Sequence, residues 1–119
     1  MKTSKPLMTF DVVTLMPEMF SAICDYGITG RAFKDDTVNL KLWNPREFSK
    51  DIHKTVDDRT YGGGPGMLMM AEPLVKSIEA AKKRQNELGV NKVKVIHMSP
   101  SGKSLSHNEV KRLMACEGF

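Results

Sequence analysis

Cysteine is nearly absent: Cys24 and Cys116 are the only two among 119 residues. They stand alone and far apart, so neither a disulfide framework nor a thiolate metal site is indicated, and buried filler is the expected role of both. Histidine is almost as scarce, and His53, His97 and His107 lack ligand spacing with one another or with other metal-binding residues. No stretch approaches the roughly 18 apolar residues of a membrane span. The opening Met-Lys-Thr-Ser-Lys-Pro-Leu is also too polar for a secretory signal. These absences exclude a disulfide scaffold and argue against a spanning protein, leaving a cytoplasmic globular chain with no membrane partner as the expectation. Residues 1–8 read as a flexible N-terminal extension.

What is present is an ordinary 40% of hydrophobic residues, enough for a modest core, and a net charge of +4 unevenly spread. From Lys76 to Arg112, nine Lys or Arg face only Glu79, Glu87 and Glu109. Clustered cations suit the phosphates of a nucleic acid, and they equally suit a solvated helix face.

The order of elements follows from periodicity. Thr9 to Leu15 is β-branched and apolar, as in a buried parallel strand, and Pro17 then opens a helix over Glu18 to Tyr26 with Gly27 as its stop. Val38, Leu40 and Leu42 alternate with polar neighbours in a second strand ended by Asn44-Pro45. The longest helix is expected from Glu72 or Pro73 to Leu88, with Leu74, Ile78 and Ala81 inward, Lys82, Lys83 and Arg84 outward, and Gly89 as cap. Val93 to Met98 reads as a third strand, Ser99-Pro100-Ser101-Gly102 as a turn, and Ser106 with Glu109 as the capping box of a last helix. This alternation predicts an α/β protein with a mostly parallel sheet. The chain stops where another strand should return to the sheet, so an N-terminal fragment is expected.

The strongest functional signal lies between Thr55 and Met70, where four of the nine glycines (Gly62, Gly63, Gly64, Gly66) follow Asp57, Asp58 and Arg59. Each glycine adds chain entropy that folding must remove, so such a run suits a place where backbone approaches a ligand. Asp57 and Asp58 are adjacent and point to opposite sides of extended backbone, which rules out a same-face carboxylate dyad. One of them can bind a guanine edge or a cation, or merely pair with Arg59 or Lys54. Met67, Met69 and Met70 read as core or interface plugs. Trp43 reads as packing, while Tyr61 fits packing and base stacking equally. Gly102-Lys103-Ser104 after a strand invites comparison with a nucleotide-phosphate loop, but His97 stands where that motif needs glycine and Pro100 deletes an N–H donor. A loop at the carboxyl end of a strand remains a ligand site in open α/β sheets.

With these residues assembled, the chain resembles the N-terminal part of bacterial tRNA (guanine-N1-)-methyltransferases. The resemblance rests on Leu15-Met16-Pro17-Glu18-Met19-Phe20, Asp25-Tyr26-Gly27-Ile28-Thr29-Gly30-Arg31-Ala32, Asn44-Pro45-Arg46-Glu47-Phe48, the Thr55 to Met70 run and Met98-Ser99-Pro100-Ser101-Gly102. Thr60 departs from the usual proline and Ser101 from the usual glutamine. The resemblance implies a SPOUT-class, trefoil-knotted α/β domain, an exception to the rule against threading. It further implies a homodimer that methylates N1 of guanine 37 in tRNA with S-adenosylmethionine, and a divalent cation such as magnesium is left open. His97, Met98, Ser99, Pro100 and Gly102 would form one wall of the cofactor pocket. His53, Asp57, Arg59, Tyr61, Gly62, Gly63, Gly64, Pro65 and Gly66 would face the tRNA. The family's catalytic aspartate and arginine, the loop that closes its knot and its C-terminal tRNA-binding domain are expected beyond Phe119, so no catalytic residue is assigned and the chain alone is expected to be inactive. A non-catalytic RNA-binding or dimerisation module is the alternative.

Overall fold

A computed structural model describes residues 6–50, 57–59, 67–69 and 71–119. Strand β1, Met8–Val13, pairs in parallel with β2, Val38–Trp43, in a register that sets Met8 beside Val38 and Val13 beside Trp43. Parallel neighbours need a crossover, and here it consists of short helices. Pro17–Phe20 forms a 3₁₀ turn, α1 covers Ser21–Cys24, and α2 covers Gly27–Lys34. The helix expected over Glu18 to Tyr26 is present as the 3₁₀ turn running directly into α1, and it ends at Cys24, just before the expected stop at Gly27; α2 is an element that the apolar spacing did not announce. Gly27 separates α1 from α2. Its φ of +69° turns the chain out of α1 and directly into α2. Thr29 Oγ1 then donates to the Ile23 carbonyl at 2.7 Å, satisfying an acceptor that the end of α1 leaves open.

The other edge of β1 is filled by the end of the chain. Thr9 N–H donates to the Glu117 carbonyl at 2.9 Å, Phe119 N–H to the Thr9 carbonyl at 2.9 Å, and Asp11 N–H to the Phe119 carbonyl at 2.7 Å. Beyond it, Lys94 N–H reaches the Gly118 carbonyl at 3.0 Å, so residues 117–119 lie between β1 and the 92–94 segment. All these pairings are parallel, as expected. The third strand itself is shorter than its sequence suggests: from Val93 to Met98, ladder pairing reduces to a bridge at Val93. Its neighbour supplies only residues 117–119, and a strand needs a partner backbone along its length.

Helix α3, Ala71–Glu87, packs across β1 and against the 3₁₀ turn Pro45–Phe48. Its C-terminus closes with Gly89 at φ +77° and paired bonds, Val90 N–H to the Gln85 carbonyl at 3.0 Å and Gly89 N–H to the Asn86 carbonyl at 3.1 Å, the Schellman arrangement. Val90 is buried beneath it. The apolar face expected of α3 is present, with Ala81 buried and Leu74 and Ile78 half-buried. Arg84, however, does not join Lys82 and Lys83 in solvent; it turns in toward β1. The core is thin: among the described residues the buried apolar side chains are Ala81 and Val90, with the prolines Pro45 and Pro73. Cys24 and Cys116 are half-buried rather than buried. Phe10 stacks on Phe119 with ring centroids 5.6 Å apart, adding apolar contact where the last strand joins the sheet.

Helix α4, His107–Leu113, starts as its capping box predicts, with Glu109 N–H donating to Ser106 Oγ at 3.2 Å. The remaining pair, β3 at Asp57–Arg59 and β4 at Met67–Met69, is antiparallel, and the periodic pattern announced neither strand.

Candidate functional site at the 97–102 turn and the 57–69 pair

The turn after the third strand segment is closed by Gly102 N–H donating to the Ser99 carbonyl at 3.0 Å. Pro100 occupies the second position, where its fixed φ suits such a turn. Ser99 Oγ lies 3.0 Å from Ser101 Oγ and accepts from Ser101 N–H at 3.3 Å, so both hydroxyls are engaged within the turn. A Cβ at position 102 would sit 3.2 Å from the Ser99 carbonyl oxygen, a tight contact that glycine avoids. The five predicted site residues here, His97, Met98, Ser99, Pro100 and Gly102, thus fall within one turn with Ser101 between the last two. Ser99 is half-buried, while His97, Met98, Pro100 and Gly102 are exposed, Met98 to 86%. Backbone groups of His97 and Met98 make no main-chain bonds among the described residues. An open main chain beside an exposed methionine and proline has the mixed character that an adenosyl group requires of one wall.

The turn is tethered on its far side. Lys103 Nζ pairs with Glu109 Oε2 at 3.3 Å, and Glu109 also holds Arg112 one turn along α4. Arg112 first, with Lys103 assisting, keeps the Glu109 carboxyl down at about 2.

Asp57 and Arg59 lie on β3, and the register sets Asp57 beside Met69 and Arg59 beside Met67. The glycine-rich run therefore joins two paired strands. His53, Tyr61, Gly62, Gly63, Gly64, Pro65 and Gly66 lie outside the described residues, as does Met70. On either flank, Lys50 Nζ pairs with Glu72 Oε1 at 2.9 Å, and Lys76 reaches the same oxygen at 3.1 Å. Their hydrogen bonds hold the Glu72 carboxyl below its ordinary range and the Lys50 ammonium above its own.

The polar centre that sequence reading missed is Asp11. Its side chain, 2% exposed, accepts from Trp43 Nε1 at 2.7 Å, from Arg84 Nη1 at 3.0 Å on each oxygen, and from Gln85 Nε2 at 2.6 Å. Arg84 also donates to Asn39, and Gln85 to the Phe119 carbonyl at 2.8 Å. A buried carboxylate needs such a set of donors to offset the water it loses. The available signal was the charge itself, one acid inside an otherwise apolar strand. Trp43, read as packing, is half-buried, its ring 6.2 Å from Phe48 and 5.4 Å from Lys41 Nζ.

Clefts lie elsewhere. One of about 550 Å³ is lined by Cys24, Asp25, Gly30, Arg31, Phe33 and Lys34, and one of about 370 Å³ runs along Phe33 and β2. Neither contains a residue of the 97–102 turn. The turn's chemistry is the better guide to a site than the depth of these clefts, because it is an exposed edge that a second wall would convert into a pocket. Among the described residues, no group of three or more His, Cys, Asp or Glu side chains is gathered for a metal ion.

Residues 8–118 match the sequence profile of the tRNA (guanine-1)-methyltransferase (TrmD) family. The chain belongs to this family. It is 57% identical over 112 residues to a tRNA (guanine-N(1)-)-methyltransferase of Janthinobacterium sp. (strain Marseille), covering 94% of this chain and 45% of that protein. It is 52% identical over 109 residues to the protein of the same name in Nitrosomonas europaea, covering 92% and 40%. The crystal structure of the tRNA (m1G37) methyltransferase from Aquifex aeolicus superposes with a TM-score of 0.73 at 31% identity, covering 97% of this chain and 49% of that one. The fold class is therefore that of the N-terminal part of a SPOUT methyltransferase. The chain spans less than half the length of these relatives. Among the described residues, no helix is long and apolar enough to cross a membrane.

Proposed function

We propose that this chain is the N-terminal part of a cytoplasmic, homodimeric, knotted enzyme that transfers a methyl group from S-adenosylmethionine to N1 of guanine 37 in tRNA. The observation that carries the reading is the family match over residues 8–118, which includes both the 97–102 turn and the Asp57 to Met69 pair. Bound S-adenosylmethionine supplies an electrophilic methyl group on a sulfonium centre. In this reading His97, Met98, Ser99, Pro100 and Gly102 hold the adenosyl portion, largely through backbone, and exclude water along one side. Asp57, Arg59 and the glycine-rich connection take the guanine, with His53 and Tyr61 beside them. Guanine N1 must lose a proton as it attacks, and O6 gains negative charge, so a general base and a donor near O6 are required. No residue of this chain is assigned either role. Participation of a divalent cation belongs to the same proposal.

The test is a methyl-transfer assay with a tRNA carrying guanine at 36 and 37. Full-length protein should turn over and the 119-residue chain should not; robust turnover by the isolated chain would overturn its assignment as an incomplete enzyme. Absence of transfer by the full-length protein, with RNA binding retained, would favour a non-catalytic module. In the full-length enzyme, Asp57→Ala should lower transfer to RNA far more than it lowers cofactor affinity, which steady-state kinetics with each substrate varied separately would read.

A further inference from the structure

We propose that Gln85 is a positioning residue for the Ser99–Gly102 turn, acting through residues 117–119 and 92–94; this rests on reading the turn as part of the methyl-donor pocket. Gln85 is anchored twice. Its backbone carbonyl accepts from Val90 N–H at 3.0 Å and so sets where the chain leaves α3 toward Lys92. Its side-chain amide, on a residue 1% exposed, donates to Asp11 Oδ2 at 2.6 Å and to the Phe119 carbonyl at 2.8 Å. Both partners are acceptors, which fixes the amide with nitrogen toward them.

The consequence runs outward along the sheet. Phe119 is held by Gln85 and by Asp11 N–H, and Gly118 in turn exchanges bonds with the next segment, Gly118 N–H to the Lys92 carbonyl at 3.1 Å and Lys94 N–H to the Gly118 carbonyl at 3.0 Å. Past Lys94 no further ladder bond is made among the described residues, so the turn projects from this last pairing. Gln85 Oε1 is buried without a hydrogen-bond partner and occupies the space where a side chain at Gly118 would overlap it. Leaving a buried amide oxygen unsatisfied has a cost. Here the same orientation gives Nε2 its two acceptors and lets residue 118 lie flat against α3.

The experiment compares Gln85→Met, which keeps length and bulk but loses both donated bonds, with Ser77→Ala, which removes a different buried bond on α3, the 2.7 Å contact to the Pro73 carbonyl. In the full-length protein, Gln85→Met should raise KM for S-adenosylmethionine at least about tenfold while leaving KM for tRNA unchanged, because small misplacements at a binding wall are amplified. It should also speed amide exchange at Lys94 and Gly118. Ser77→Ala should do neither, whatever it does to Tm. Gly118→Ala, which pushes on the same amide from the opposite side, should act in the direction of Gln85→Met. Wild-type exchange and wild-type KM in Gln85→Met, or an equal rise in Ser77→Ala, would overturn the proposal. A wild-type protein that methylates tRNA only with another donor would overturn the pocket reading alone; the positioning of residues 117–119 and 92–94 by Gln85 is then read from amide exchange, and unchanged exchange at Lys94 and Gly118 in Gln85→Met would overturn it.

Discussion

Asp11 shows how much one residue can organise. Its carboxylate joins β1 to β2 through Trp43, to α3 through Arg84 and Gln85, and through Gln85 to Phe119. Asp11→Ala leaves Arg84 inward without its anion. Breaking a buried pair costs about 3–5 kcal/mol, and the 22% exposure of Arg84 places this one near the lower figure; urea unfolding of the variant would measure it. Two glycines separate two kinds of constraint. A methyl group at Gly30 would come 2.9 Å from the Asp25 carbonyl carbon, which is backbone and cannot swing aside, so Gly30→Ala should cost about 1–3 kcal/mol. At Gly27 nothing obstructs a Cβ, but φ is +69°, so Gly27→Ala should cost only about 1–2 kcal/mol in the same unfolding measurement. Neither constraint is visible in the residue letters: a glycine before a helix looks the same whether it is needed for angle or for space. Cys24 is legible only in part. Burial, with Asp25 assisting, raises its thiol above the usual range, which makes it a slow nucleophile rather than a reactive one.

Among the elements, those with local signals were readable and those made by pairing were not. Pro73, the Leu74, Ile78 and Ala81 stripe, and Gly89 mark α3 without reference to anything distant. Ser106 and Glu109 mark α4 in the same way, through a bond that spans three residues. The Val93 to Met98 run has the composition of a strand, but becomes one only as far as a neighbour is available. The helical stretch expected from Glu18 is present as far as Cys24, but α2 after it was not legible for a related reason. Apolar spacing locates a face, whereas the positive φ at Gly27 decides where the axis turns. At α4 the ion pairs make a pH prediction. Glu109 is held at about 2 against an ordinary 4.5, so its contribution to stability is full above about 4.5 and is lost as pH falls toward 2. Glu109→Gln should therefore differ from wild type in Tm at pH 6 and converge with it near pH 2. Equal Tm differences at both ends would show that the charge contributes nothing.

For the molecule as a whole, the thin core and the exposed apolar side chains belong together. Val95, Ile96, Met98, Leu105 and Met114 are all exposed near the predicted cofactor turn or on the helix after it, Met98 to 86% and Leu105 to 71%. Large exposed apolar surface commonly marks an interface. The isolated 119-residue chain should therefore self-associate, with a sedimentation coefficient that rises with protein concentration; a concentration-independent monomer would show that this surface is tolerated in water. The candidate site follows the same division. By itself the sequence determined the α/β class, the family through its ordered blocks, and the contiguity of Met98 to Gly102, because each depends on residues near one another in the chain. Only the tertiary structure decided that Asp11 gathers Trp43, Arg84 and Gln85, and that residues 117–119 slot between β1 and Lys94. A buried charge and a strand edge acquire their meaning from partners, and those partners lie tens of residues away in sequence, where periodicity and motif spacing carry no information about contact.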